Sequence, residues 1–328
     1  MSDNFISTTV NEADLADHAT PSDLPKLHLT RGNHQAVFNG SWYRGKHTNF
    51  IPSKIEITET DAAEKFVLTG WLPAIPFITR QMSITAFGSC FAAHITDHLG
   101  ERGFNVNGRN LNLNAHIVRF GEGMVNTFSI RQQFEWALGE KEIPENLWFG
   151  PHKEIAAVDP VIRKQTFEII NTTDVFIVTL GLSEIWYDKI SKEAFWRAIP
   201  ASLFDEERHG FRLSTVDENL ANLLAIHRCI RSARPQASII ITLSPIPLMA
   251  TFRPISCLTA NSVSKAVLRV AIDSMMCQLK DDPNLFYFPS YEMVGELFAD
   301  PRAADNRHLR PDVTRFVMDT FERHYCAM

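Results

Sequence analysis

No uninterrupted apolar run in this chain approaches the roughly 18 residues needed to span a bilayer, so no membrane-spanning helix is expected. There is no basic run either. A formal net charge of -6 gives no electrostatic case for nucleic acid or for an anionic membrane surface. Cysteine is scarce and scattered over Cys90, Cys229, Cys257, Cys277 and Cys326, with no C-x-x-C pair. An odd, dispersed set predicts free thiols in a reducing compartment. The opening MSDNFISTTVNEADLADHATPSD lacks a basic start followed by an apolar stretch, so no secretory signal is expected. These absences together place the protein in the cytoplasm. The 12 histidines form no H-E-x-x-H and no Cys/His cluster, which argues against a metal site. Neither G-x-x-x-x-G-K-[ST] nor G-x-G-x-x-G occurs, which removes the common nucleotide-binding loops.

What remains is the composition of an ordinary globular enzyme: 328 residues, 45% hydrophobic and 21% charged, enough for one large or two modest domains. Residues 1 to about 25, rich in Asp, Ser, Thr and Asn, read as disordered. Residues 1–79 form an irregular N-terminal extension, expected to pack on a main domain of residues 80–328. From there the pattern is regular. Ser83–Phe87, Val175–Leu180, Ser238–Leu243 and Leu285–Phe288 read as buried strands. Helices are expected over Cys90–Gly103, from Asn126 along NTFSIRQQFEWAL, after a Thr215/Glu218 capping box, over Asn261–Leu279 and over Pro311–Tyr325. Buried strands alternating with helices predict a mainly parallel sheet covered on both faces. Functional residues then gather at the carboxyl ends of the strands, in the loops Gly88–Ala92, Gly181–Tyr187, Ser244–Arg253 and Pro289–His308.

In the first loop, Gly88 permits a tight turn and Ser89 stands at a helix start, where free N–H groups and the helix dipole favour an oxyanion. Ser89 therefore reads either as a nucleophile or as a helix N-cap. Cys90 is a second candidate nucleophile, since a thiol at a helix N-terminus is easily ionised. In the last loop, Asp305 and His308 lie three apart, a spacing that lets a carboxylate fix an imidazole tautomer. With 12 His and 38 acidic residues, chance alone predicts one or two acid-x-x-His pairs, and the chain has two. Position favours Asp305-x-x-His308 after the last strand. Glu206-x-x-His209, in the polar stretch SLFDEERHGFR, reads as a surface or lid feature. Gly181-Leu182-Ser183-Glu184 reads as a polar site loop or as a strand-to-helix turn with Glu184 an early-helix acid. Arg253 reads as a holder of an anionic or hydroxylated substrate or as a solvent-facing residue. Gly121 to Asn126 reads as an oxyanion donor loop or as a turn and N-cap.

The segment FGSCFA at Phe87–Ala92 resembles the signature that names the GSCFA family, which is placed among the SGNH (GDSL-like) hydrolases. The resemblance continues through EGMVNTF, DVFIVTLGLSEIWYD, SPIPLMATFRP, NSVSKAVLR, FYFPSYEMV and DNRHLRP, from about residue 80 to the C-terminus. It implies a three-layer α/β/α sandwich with a flavodoxin-like parallel sheet. It implies Ser89 as nucleophile, His308 as base and Asp305 as the acid that orients it. Gly123 matches the oxyanion glycine of the second block. Ser183 stands where the third block normally has an oxyanion Asn, and Asn126 is the nearby residue able to take that role.

The function this implies is a serine-dependent acyl-ester hydrolase or O-acyltransferase acting on an O-acylated carbohydrate or related small ester. Glu184, Trp186 and Arg253 are the substrate-binding candidates. GSCFA-like proteins are associated with bacterial surface-polysaccharide synthesis. No metal or redox cofactor is implied; an acyl donor such as acetyl-CoA is needed only for a transferase. The expected partner is a small molecule or glycan, not nucleic acid or membrane. The alternative is a non-catalytic glycan- or protein-binding module on a degenerate SGNH fold, motivated by the altered third block.

Overall fold

The computed structural model describes residues 26–31, 34–39, 49–107, 115–118, 124–143, 147 and 159–327. The stretch read as disordered, and Gly123, lie outside them. The chain divides into two compact units at Phe66/Val67. In the first, β1 (Lys26–Arg31) and β2 (His34–Asn39) pair antiparallel. Further on, Ser53 and Glu56 cap each other: the Ser53 N–H donates to Glu56 Oε2 at 2.7 Å and the Glu56 N–H to Ser53 Oγ at 3.3 Å.

The second unit is built on a parallel sheet of β3 (Ile84–Gly88), β4 (Val175–Leu180), β7 (Ser238–Leu243) and β8 (Leu285–Tyr287), hydrogen-bonded in that order. Every residue of β3 and β4 is buried, as a strand covered on both faces requires. One face presents Phe87, Phe176, Val178, Ile239, Ile241 and Tyr287 to a core shared with α2 (Thr127–Ala137), α3 (Pro160–Thr172), α4 (Val216–Ala233) and α5 (Cys257–Gln278). On the other, α1 (Cys90–Glu101) packs on β3 and β4 and beside α7 (Pro311–Tyr325), whose Phe321 ring meets Phe288 at 5.2 Å. The result is the three-layer α/β/α arrangement the resemblance implied. In-register pairing of Gly88 with Thr179 and of Leu180 with Leu243 brings the loops after β3, β4 and β7 to one edge.

Several elements depart from the sequence-based expectation. Helix α5 starts at Cys257 rather than Asn261, because Ser256 caps it and accepts the Leu258 N–H at 3.3 Å. Helix α6 (Ser290–Leu297) occupies part of what read as a loop. Glu184 begins a strand, not a helix: β5 (Glu184–Asp188) pairs antiparallel with β6 (His209–Leu213). His209 is therefore no surface residue. It is 6% exposed, its Nδ1 accepts the Asp205 N–H at 2.9 Å, and Phe195 packs on its ring. Among the described residues, no helix is long and apolar enough to cross a membrane. All five cysteines are free.

Candidate active site

Gly88 ends β3 at φ +104°, and a Cβ there would lie 2.0 Å from the Thr179 carbonyl oxygen. Only glycine lets β3 turn this close against β4. The turn delivers Ser89 to the N-cap of α1, where its Oγ accepts the Phe91 N–H at 3.2 Å. The Ser89 N–H donates to the Thr179 carbonyl at 3.2 Å. Ser89 also lines a cavity of about 440 Å³ at the carboxyl edge of the sheet. Helix cap and cavity wall are thus one residue, and the two readings of Ser89 do not exclude each other. Cys90 lines the same cavity.

The neighbouring loops close on Ser89. The Gly181 N–H donates to the Val125 carbonyl at 2.8 Å. A Cβ on Gly181 would lie 3.0 Å from Val125 Cβ and 3.5 Å from Ser89 Cβ, so the three loops leave no room there for a side chain. Next to Val125, Asn126 caps α2 and lines the cavity. Its Oδ1 accepts the Ser129 N–H at 2.9 Å. A backbone N–H can only donate, so the amide orientation is determined and Nδ2 faces away from α2. Ser183 is placed differently. It is fully buried, its N–H donates to Ser264 Oγ at 2.9 Å, its Oγ donates to the Ser264 carbonyl at 3.2 Å, and it is not on the cavity wall.

Sequence reasoning passed over Lys265, which lies beneath these loops. It is 1% exposed and donates from Nζ to the carbonyls of Gly181 and Ser244, both at 2.7 Å. It thereby ties the end of β4 to the end of β7. Burial pushes its ammonium down to about 7, and the nearby Arg302 and Arg307 charges act in the same direction. The signal in the sequence was a lysine at a core position of an otherwise apolar helical stripe, beside Leu268 and Ser264.

The Asp305–His308 pair is formed within one turn. Asn306 adopts φ +55°, a conformation Asn tolerates, and this folds the chain back. Asp305 Oδ1 then accepts the N–H groups of Arg307 and His308, each at 3.0 Å, while Oδ2 meets His308 Nδ1 at 2.5 Å. The His308 ring and those two N–H groups hold the Asp305 carboxyl down at about 2. Arg307 Nη1 lies 3.1 Å from His308 Nε2. A guanidinium has no acceptor, so it donates and Nε2 carries the lone pair. The ring proton is therefore on Nδ1, facing Asp305, which is the tautomer a general base needs. Arg307 lines the cavity with Ser89 and makes no ion pair among the described residues. No hydrogen bond joins Ser89 to His308; Arg307 occupies the lone pair instead. Burial is the main cause that pushes the pKa of His94, on α1, down.

The GSCFA family profile matches residues 83–321. The chain belongs to the GSCFA family. No curated protein matches it. Among solved structures it is similar to a carbohydrate esterase family 3 from Talaromyces cellulolyticus, at 9% identity and TM-score 0.38, covering 74% of this chain and 94% of that one. It is also similar to the lipopolysaccharide acetyltransferase periplasmic domain of Salmonella ser. Paratyphi A, at 12% identity and TM-score 0.34, covering 74% and 84%. A third similar structure is an acetyl xylan esterase from the rumen bacterium Butyrivibrio proteoclasticus, at 11% identity and TM-score 0.29, covering 76% and 65%.

In this GSCFA protein the far wall of the cavity is built by the β5–β6 hairpin and the loop after β7. Trp186 meets Phe211 at 4.9 Å and Phe252 at 5.1 Å, and all three line the cavity. Glu184 also lines it but is buried and already engaged: Thr251 Oγ1 donates to Oε2 at 2.8 Å and Arg253 Nη1 to Oε1 at 3.3 Å. Arg253 is thus held by Glu184 and is not on the wall. The cavity offers chemically one hydroxyl at a helix N-terminus, one side-chain amide, the guanidinium groups of Arg197 and Arg307 and a large apolar surface; the carboxylate-oriented imidazole of His308 is not on its wall but bonds to Arg307, which is.

Proposed function

We propose that this protein is a serine-dependent acyl-ester hydrolase or O-acyltransferase working through Ser89, His308 and Asp305 on an O-acylated carbohydrate or related small ester. One observation carries the reading. A cavity-lining serine at the N-terminus of α1 shares its cavity with Arg307, whose guanidinium touches a histidine already set as the base tautomer by Asp305.

Once an ester displaces Arg307 from Nε2, Ser89 Oγ attacks the acyl carbon and its proton passes to His308 Nε2. Asp305 steadies the resulting imidazolium. The tetrahedral oxyanion needs donors. The Ser89 N–H is taken by Thr179 and the Ser183 hydroxyl by Ser264. Asn126 Nδ2 and the Cys90 N–H, first in α1, fit that role instead. Collapse of the intermediate breaks the ester C–O bond, and His308 returns its proton to the leaving oxygen. Water or a second hydroxyl, deprotonated by His308, then takes the acyl group from Ser89.

A fluorophosphonate probe tests this. Adduct formation at Ser89, found by peptide mass spectrometry and lost in His308→Ala, is the expected result. An adduct on Cys90 alone would move the nucleophile by one residue. Absence of any adduct in folded protein would favour the second reading, a binding module on a retired hydrolase fold. The observation behind that reading is that Arg307, not Ser89, occupies His308 Nε2.

A further inference from the structure

The same cavity says which acyl group it takes, provided the serine acyl-transfer reading holds. An acetyl methyl fills about the ~30 Å³ that one water occupies. The cavity beside Ser89 is about 440 Å³, far more than acetyl transfer uses. Its polar groups are also unevenly placed. Ser89 and Asn126 stand at the strand edge and Arg307 beside the imidazole. Glu184, the acid of the lining, is paired with Arg253 and accepts a hydrogen bond from Thr251. Beyond them the wall is mainly apolar, with Trp186, Phe211, Phe252, Leu248 and Met249, and carries one further charged residue, Arg197.

A sugar ring sunk among those five apolar side chains would leave most of its hydroxyls without partners. A hydrocarbon chain meets no such penalty. Nor is the apolar wall closed over by the protein itself: Phe252 is 60% exposed and Met249 79%. Exposed large apolar side chains at the mouth of a cavity mark a surface that a ligand covers.

The geometry points to an acyl pocket for a straight hydrocarbon chain of about octanoyl size, with its carbonyl at Ser89 and its tail against Trp186, Phe211 and Phe252. The hydroxylated partner then sits on the open side by Arg307. Each buried methylene contributes favourably to binding, so the preference over acetyl is large and grows with chain length until the cavity is filled.

The test uses the full chain and two phosphonofluoridates that differ only in their alkyl group, methyl or octyl. Ser89 Oγ attacks phosphorus, fluoride leaves, and the hydroxyl proton goes to His308. Labelling rates are read by intact mass, normalised to each reagent's own hydrolysis in buffer, with the adduct located by peptide mapping. The octyl reagent is expected to label Ser89 at least tenfold faster than the methyl one. Trp186→Ala, and separately the surface change Phe252→Ser, are expected to bring that ratio down severalfold. Equal or faster labelling by the methyl reagent would overturn the acyl pocket and leave the serine reading standing. A ratio untouched by both substitutions would also overturn it. No adduct at Ser89 with either reagent would remove the serine reading, and the acyl pocket with it.

Discussion

Ser89 and His308 are held by opposite kinds of structure. Ser89 follows a strand whose five residues are all buried, and its position is set by contacts reaching 90 residues along the chain to Thr179. His308 sits on an exposed turn, its side chain 51% exposed, and its bonds to Asp305 and Arg307 span at most three residues. The nucleophile is therefore fixed by the core and the base by local sequence. A locally held base can move by the fraction of an ångström that separates an unliganded site from a productive one, without disturbing the core. The comparison predicts that substitutions at the Ser89 end cost activity or stability heavily, and that those at the His308 end change activity with little effect on the fold.

The largest effect expected is at the nucleophile. Ser89→Ala should lower kcat/KM by about 10^4-fold or more on any ester the wild type turns over. Its loss as a helix cap should cost only about 1 kcal/mol, read as a small shift in urea midpoint. His308→Ala should lower activity comparably, and the double variant should be no worse than either, because the two act as a unit. Additive losses would show that Ser89 and His308 do not share a step. Next in size is Gly88→Ala. Its Cβ would collide with the Thr179 carbonyl oxygen at a positive φ, so about 3 kcal/mol or more should be lost in denaturant unfolding. A change under 1 kcal/mol would mean that the β3–β4 edge yields, and the contrast between the two ends would fail.

The same distinction explains how much of the molecule was legible in its sequence. Val175–Leu180 and Ser238–Leu243 announce themselves as unbroken apolar runs, and both strands have those bounds. The Thr215/Glu218 capping box and the Asp305–His308 bond are legible because their atoms are three residues apart. The β5–β6 hairpin was not legible. EIWYD mixes acid and aromatic residues as an early helix turn does, and its partner HGFRL lies beyond an intervening segment. Ser183 turns from the cavity because of Ser264, 81 residues away, and Lys265 matters through two carbonyls that no spacing rule connects to it. Local chemistry was readable; chemistry that depends on which distant loops converge was not.

Lys265 offers the next test, since it belongs to the core-held end. Removing it leaves the Gly181 and Ser244 carbonyls without their donor, so Lys265→Met should cost about 2 kcal/mol near pH 10. The cost should depend on pH. With a folded value of about 7 against 10.5 in the unfolded chain, the unfolded state holds a proton between those limits that the folded state has released. Wild-type stability therefore gains from rising pH across that window, at up to about 1.4 kcal/mol per pH unit, and the Met variant lacks this gain. From about 2 kcal/mol near pH 10, the difference between the two should fall to zero and reverse sign before pH 7 is reached. A difference that is flat with pH would mean that Lys265 stays charged throughout, with its burial cost met by contacts other than these two carbonyls.

The smallest effect expected is at Arg307, and it bears most directly on how the base is held. Arg307 donates to Nε2, the atom that must accept the Ser89 proton, so in the resting site it competes with the nucleophile. Asp305 already fixes the ring through Nδ1, so Arg307 is not needed to orient it. Arg307→Ala should therefore leave the unfolding midpoint within error and raise the labelling rate of Ser89 by a small fluorophosphonate about threefold, corresponding to ~0.7 kcal/mol. Asp305→Asn in the same background should remove that gain, because the ring then loses the partner that keeps its proton on Nδ1. A tenfold or greater loss in Arg307→Ala would reverse the assignment: the guanidinium would be holding the imidazole in place rather than competing for it. The His308 end would then depend on a cavity-lining side chain as well as on its own turn, and the local character of the base would have to be given up.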